Sequence, residues 1–241
     1  MKFSTVISAR NDGKAVSLIP CLNKMSQLPM EIIVVDWGSE VPLELPAFVK
    51  RIYVPPEVAS KYNKDSEFAL NISSNVGFRR ATGDFIFYMG NDTFCTQELL
   101  DYVSRRCNQD IFYIIPRRHV ESVETMDVFQ QSKISTRFGA SGAWVARRNV
   151  WNTLRGFDQK FIYYGFIDRE IVWRAQIYGF GIRLMPLTMS VYHVRHPYCS
   201  MRATGRDNEK IFSQEELTPT RYDVNDENWG LWDENIQYLQ S

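Results

Sequence analysis

Ile32-Ile33-Val34-Val35 is a short, unbroken apolar run with a carboxylate on either side, Glu31 and Asp36. Four apolar residues in a row cannot form the stripe of an amphipathic helix. They suit a strand buried on both faces, as inside a parallel sheet. Phe85-Ile86-Phe87-Tyr88 is a second run of this kind, within a predicted strand from Asp84 to Met89. Phe3 to Ala9, Phe48 to Val54 and Asp110 to Ile115 are further strand candidates, and Pro55-Pro56 ends the second of these. Helical spacing falls between them. Lys14 to Met25 carries Val16, Ile19, Leu22 and Met25, with Asn11 or Asp12 as a cap and Pro20 as an expected kink. Phe68 to Ala81 and Gln97 to Arg106 are the next predicted helices, the first interrupted by Asn75 and Gly77. Strand alternating with helix predicts an α/β fold with a mostly parallel central sheet.

The pattern changes after Pro116. Residues 116–137 are polar and weakly periodic, which predicts a loop or lid. Ala143 to Arg147 and Met189 to Arg195 read as strands, and Asn149 to Leu154 and Ile167 to Tyr178 as helices. The expected organisation is one domain over 1–204, in halves 1–115 and 116–204, followed by an irregular acidic extension over 205–241.

Composition bears on partners. The 241 residues are 44% hydrophobic and 14% aromatic, enough for a sizeable core and unlike a disordered chain. The 28 Lys+Arg and 28 Asp+Glu cancel. The tail from residue 205 nevertheless holds nine acids and three bases, so it carries −6 and the body +6. The body's sign suits an anionic ligand. The basic pairs Arg105-Arg106, Arg117-Arg118 and Arg147-Arg148 are scattered, which argues against a nucleic-acid surface. Four cysteines without a CxxC pair fit a reducing cytosol rather than zinc or a disulfide framework. No stretch approaches the ~18–20 apolar residues that cross a bilayer, and Met1 to Ala9 is too short for a signal-peptide core. The expected location is cytoplasmic, with peripheral association at the inner membrane open.

Open α/β sheets bind ligands beyond the carboxyl ends of their strands. Those ends carry Ala9-Arg10-Asn11, Asp36-Trp37-Gly38-Ser39 and Gly90-Asn91-Asp92. With Ser8-Ala9-Arg10-Asn11, Ile33-Val34-Val35-Asp36-Trp37-Gly38-Ser39 and Asn75-Val76-Gly77-Phe78-Arg79-Arg80-Ala81-Thr82-Gly83-Asp84, the chain resembles the family 2 type of nucleotide-sugar glycosyltransferases, of the bacterial polysaccharide kind. The likeness continues through Gly142 to Arg147, Leu154-Arg155-Gly156-Phe157-Asp158, Phe166-Ile167-Asp168 and Tyr192-His193-Val194-Arg195-His196, over about residues 3–197. It implies a GT-A fold with a nucleotide-sugar half and an acceptor half, and transfer with inversion to a hydroxyl of a glycan or glycolipid.

The resemblance also implies site residues. Ala9, Arg10, Asn11, Asp36, Gly38, Asn75, Arg79, Arg80, Asn91 and Asp92 would hold the donor, a UDP-sugar by analogy. Asp36 would accept a hydrogen bond from base or ribose, and Arg79 or Arg80 would face phosphate, which guanidinium matches bidentately. The family's Asp-x-Asp pair is only half present, since Gly90 stands where its first acid would be. A divalent cation, Mn or Mg, would then rest on Asp92 and His193, with His196 as the alternative. Asp168 would be the general base. Trp144, Tyr164, Asp168 and Glu170 would meet the acceptor. Gly90 leaves open a sugar- or nucleotide-binding module without catalysis, and a nucleotidyltransferase is the other alternative.

Overall fold

A computed structural model describes residues 1–11, 15–63, 68–107, 110–131, 142–161, 165–196, 205–216, 224–234 and 236–239. The strands are β1 Phe3–Ala9, β2 Met30–Trp37, β3 Val49–Val54, β4 Phe85–Tyr88, β5 Thr93–Phe94, β6 Ile111–Ile114, β7 Arg117–Val120, β8 Val128–Gln131, β9 Trp144–Arg147, β10 Gly181–Leu184, β11 Val191–Val194 and β12 Gln237–Leu239. The helices are α1 Ala15–Met25, α2 Pro56–Ala59, α3 Leu70–Arg80, α4 Gln97–Arg106, α5 Arg148–Leu154, α6 Ile167–Ile177 and α7 Gly205–Glu216.

Eight strands form the central sheet in the order β10-β6-β9-β4-β1-β2-β3-β12. β1 pairs in parallel with β2 and β4, β2 with β3, and β6 with β10. β9 is antiparallel to both β4 and β6, so β6 and β10 run in the same sense as β1 to β4. A smaller sheet, β5-β11-β7-β8, stands beside it.

Successive side chains of a strand point to opposite faces, so one apolar run feeds two cores. Val6, Ile33, Val35, Ile86 and Tyr88 join α3, α5 and α6 on one face. Ile7, Ile32, Val34, Phe85 and Phe87 join α1 and α4 on the other. This is why 32–35 needs no polar position. Gly77 interrupts the pattern of α3 because the helix crosses β1 there. A Cβ at 77 would lie 2.3 Å from Val6 Cγ1 and 3.1 Å from Val35 Cγ2.

Several expectations are corrected. α1 runs through Pro20 without a break. Residues 116–131 are not all loop: β7 and β8 pair antiparallel across the connection 121–127, and residues 132–137 lie outside the described residues. The strand near residue 191 joins the smaller sheet, parallel to β7. β5, β10, β12 and α7 were not foreseen. The tail's end is not a hanging appendage: Trp229 and Leu231 lie in the core and β12 pairs with β3 at the sheet margin. Asp12, one of the two cap candidates, lies outside the described residues.

Gly77→Ala is expected to lower stability by about 1–3 kcal/mol through overpacking against Val6. Urea unfolding checks this, and an unchanged midpoint would contradict the close crossing.

Candidate functional site

Strands of one direction give the sheet two unlike edges. The carboxyl ends of β1, β2 and β4 lie together on one edge, the side where open α/β sheets take ligands. Two loops meet there. The Asn11 backbone N–H donates to Ser39 Oγ at 2.8 Å, and Arg10 Nε donates to the Gly38 carbonyl at 3.4 Å. Gly38 has φ +68°, and its Cβ position lies 2.8 Å from that of Ala59, so glycine is required on both counts.

Asp36 is fully buried beneath this pair of loops. Its carboxylate accepts from the Ser39 hydroxyl and, at 2.7 Å, from the Leu43 backbone N–H. The Tyr53 hydroxyl donates to the Ser39 carbonyl at 2.9 Å. Burial holds Asp36 above the usual carboxylate range, against the pull of these donors and of Arg51. Within the protein, Asp36 orders the loop that Gly38 and Ser39 present.

The next strand end supplies an acid and the smaller sheet supplies bases. Thr93 of β5 lies opposite His193 of β11, and the Val194 N–H donates to the Asp92 carbonyl at 2.8 Å. Asp92 Oδ2 is 3.5 Å from His193 Nε2 and 3.0 Å from His196 Nε2. One ligand atom from each of the three residues falls within 4.8 Å of the others. Both histidines thus reach Asp92, where one alternative to the other had been expected. One carboxylate oxygen and two imidazole nitrogens fit a divalent cation, Mn²⁺ better than Mg²⁺. Gly90 and Asn91 form the turn into β5, closed by Thr93 N–H on the Gly90 carbonyl at 3.2 Å. A Cβ at 90 would lie 2.7 Å from Asp92 Oδ1. The Asp92 carboxylate therefore lies where the first acid's side chain would begin.

His119 escaped the sequence reading. It lies on β7 opposite His193, with the two Nδ1 atoms 3.1 Å apart. All three histidines of the chain meet at this point. Burial, then Arg117 and His193, push the His119 imidazole down to about 4, so it is neutral at ordinary pH. A lone histidine in a polar stretch gives no sequence signal; only the strand pairing reveals it.

Asp168 is set by topology. α6 leads into β10, which shares the direction of β1, so the helix starts at the carboxyl edge. The turn before it is strained: Gly165 has φ 97° and Phe166, which is not glycine, has φ 62°. α7 supports this turn, with Asn208 Nδ2 donating to the Gly165 carbonyl at 3.0 Å and Phe212 packed on Phe166 and Trp173. Burial raises Asp168 above the usual carboxylate range, while backbone N–H groups at the helix start and Arg169 pull it back. The net direction makes it a stronger base than an exposed carboxylate.

Most of the other expected site residues are held by contacts within the protein. α3 runs against the strands, so Arg79 and Arg80 at its end sit on the amino edge, away from the loops above. Arg80 donates to the Gly230 carbonyl at 2.6 Å and the Leu231 carbonyl at 2.9 Å, and Arg79 stacks on Trp229 and Trp232. Both arginines clamp the tail. Asn75 bonds Phe157 through its own side chain, at 2.7 Å from the backbone N–H and 2.8 Å to the carbonyl. Glu170 is buried in an ion pair with Arg174, which also holds the Leu154 and Gly156 carbonyls. Trp144 is buried and stacked on Tyr88. Asn75, Glu170 and Trp144 are thus each engaged within the protein. Tyr164 lies outside the described residues.

A parallel sheet with a loop site at β1 and β2, an acid at β4 and a carboxylate at the start of α6 defines the GT-A class. The sequence profile described as glycosyl transferase family 2 matches residues 4–186, and the chain belongs to this family. The fold is similar to S. aureus TarS 1–349 in complex with UDP-GlcNAc (TM-score 0.62, 13% identity, 93% of this chain and 68% of that one). It is also similar to GalNAc-T7 with UDP, GalNAc and Mn²⁺ (TM-score 0.62, 14% identity, 90% of this chain and 48% of that one). This chain spans only 60% of TarS 1–349 in a further match, at TM-score 0.56 and 15% identity. No curated protein sequence matches the chain.

Arg80→Ala is expected to cost about 2–3 kcal/mol of stability, the scale of lost hydrogen bonds to a charged group. Nucleotide affinity should be unchanged. A selective loss of nucleotide binding, measured by calorimetry, would return Arg80 to the donor site.

Proposed function

We propose that this chain transfers a sugar from a UDP-sugar to a hydroxyl of a glycan or glycolipid with inversion at the anomeric carbon. The observation that carries this reading is the convergence on one sheet edge of three things: the Arg10–Ser39 loops, the Asp92–His193–His196 cluster and Asp168. The solved structures of similar fold support the donor class, since one holds UDP-GlcNAc and another UDP, GalNAc and Mn²⁺.

In this reading the loops of β1 and β2 receive the nucleotide, with Arg10 as the nearby cation in place of Arg79 and Arg80. Asp92, His193 and His196 would hold a divalent cation, which would supply positive charge to the leaving diphosphate. Asp168 takes the acceptor hydroxyl proton while that oxygen attacks the anomeric carbon. The bond to the diphosphate breaks with its electron pair on the leaving oxygen. The elevated Asp168 carboxylate and the strained turn that aims it suit this step. The reading of a module without catalysis rested on Gly90. The two histidines beside Asp92 supply ligand atoms in place of the missing acid. Among the described residues no helix is long and apolar enough to cross a membrane.

Asp168→Asn is expected to lower transfer by about 10²–10⁴-fold while UDP-sugar binding survives. The rate of the unaltered protein should fall with decreasing pH as Asp168 protonates. That limb should lie above the usual carboxylate range, because burial raises the group, and should be absent in the variant. Full activity in Asp168→Asn would move the base elsewhere. Chelation should abolish transfer and Mn²⁺ should restore it better than Mg²⁺, with Asp92→Asn failing to respond. Transfer that survives chelation would exclude the metal reading.

A further inference from the structure

We propose that His119 is a positioning residue whose Nδ1 accepts the Nδ1 proton of His193, fixing that ring with its Nε2 lone pair toward Asp92 and His196. The proposal rests on the metal-site reading only for its purpose; the hydrogen bond itself is a property of the protein alone.

The pairing is built into the smaller sheet. β7 and β11 are parallel neighbours, and His119 stands opposite His193 in their register. The rings meet edge to face, with centroids 4.9 Å apart and planes at 71°, and the two Nδ1 atoms are 3.1 Å apart. That is hydrogen-bond distance. The pairing of β7 with β8 shifts register between His119 and Val120, an irregularity of the kind that re-aims a side chain. Phe129 of β8 also packs near the His119 ring, centroids 5.9 Å apart.

Proton arithmetic then assigns the direction. A hydrogen bond between two Nδ1 atoms uses one proton, and one ring must be the acceptor. A histidine that ligates through Nε2 carries its proton on Nδ1. His193 faces Asp92 through Nε2, so its proton is the one shared, and His119 carries its own on Nε2. The Asp92 contacts agree. His196 Nε2 lies 3.0 Å from Oδ2, within the usual hydrogen-bond range, whereas His193 Nε2 lies at 3.5 Å, beyond it. Ligating histidines are usually oriented by a carboxylate, a carbonyl or water. Here a second imidazole takes that place.

Two measurements test this. The first reads ring ¹⁵N shifts of the metal-free, full-length protein at mildly alkaline pH, with the three histidines assigned by single substitutions. His193 is expected as the Nδ1–H tautomer and His119 as Nε2–H; His193 as Nε2–H would overturn the proposal. The second is Mn²⁺ affinity without donor. His119→Phe fills the space without an acceptor and should weaken binding by about 10–100-fold. His119→Asn places an amide oxygen near the Nδ1 position and should recover most of that loss. Wild-type affinity in His119→Phe, or equal loss in a folded His119→Asn, would overturn it. If the unaltered protein binds no Mn²⁺, the metal-site reading fails, and the tautomer measurement decides the role of His119 by itself.

Discussion

Burial of β1, β2 and β4 on both faces is the constraint on which the remainder of the structure depends. Ile33 and Val34 point opposite ways and both are fully buried. A strand with no wet face must be covered on each side, so the chain returns by helices and the strands come to run one way. One direction makes two edges. The carboxyl edge collects the polar residues that follow each apolar run, and the amino edge collects the ends of the returning helices. Where a residue falls in this scheme decides what it can do before its chemistry is considered.

The arginines show the consequence. Arg79 and Arg80 have the right chemistry for phosphate but the wrong edge, because they end a helix that runs against the sheet. There they bind the chain's own tail: carbonyls of Gly230 and Leu231, and the rings of Trp229 and Trp232. Opposed charges of body and tail meet at Glu234, which pairs with Lys61 and accepts from the Tyr62 hydroxyl. A neutral sum therefore conceals an internal attachment. α7 extends the theme, since Asn208 and Phe212 brace the turn that carries Asp168.

The parts of the fold legible in the sequence are those governed by burial. β1, β2, β4, α3 and α4 were readable because apolar periodicity reports what is hidden. The smaller sheet was not, because its strands have little to hide: Arg117-Arg118-His119-Val120 and Val128-Phe129-Gln130-Gln131 are largely exposed or half-exposed. α7 offers only Ile211 and Phe212 as an apolar face. At the site, residues at strand ends could be named from position, as with Arg10, Asn11, Asp92 and His193. Roles that depend on what a side chain meets could not. Asp36 turned inward to its own loop, Glu170 paired with Arg174, and His119 became visible only when β7 lay beside β11.

The central claim is that donor and metal meet at the carboxyl edge, on Asp92, His193 and His196. Anomalous scattering from manganese in crystals grown with UDP and Mn²⁺ tests it most directly. The account predicts a peak within coordination distance of Asp92 Oδ2 and both His Nε2 atoms, with the diphosphate beside it and the nucleoside over the Arg10–Ser39 loops. A manganese peak elsewhere, or UDP bound at the amino edge beside Arg79 and Arg80, would contradict it.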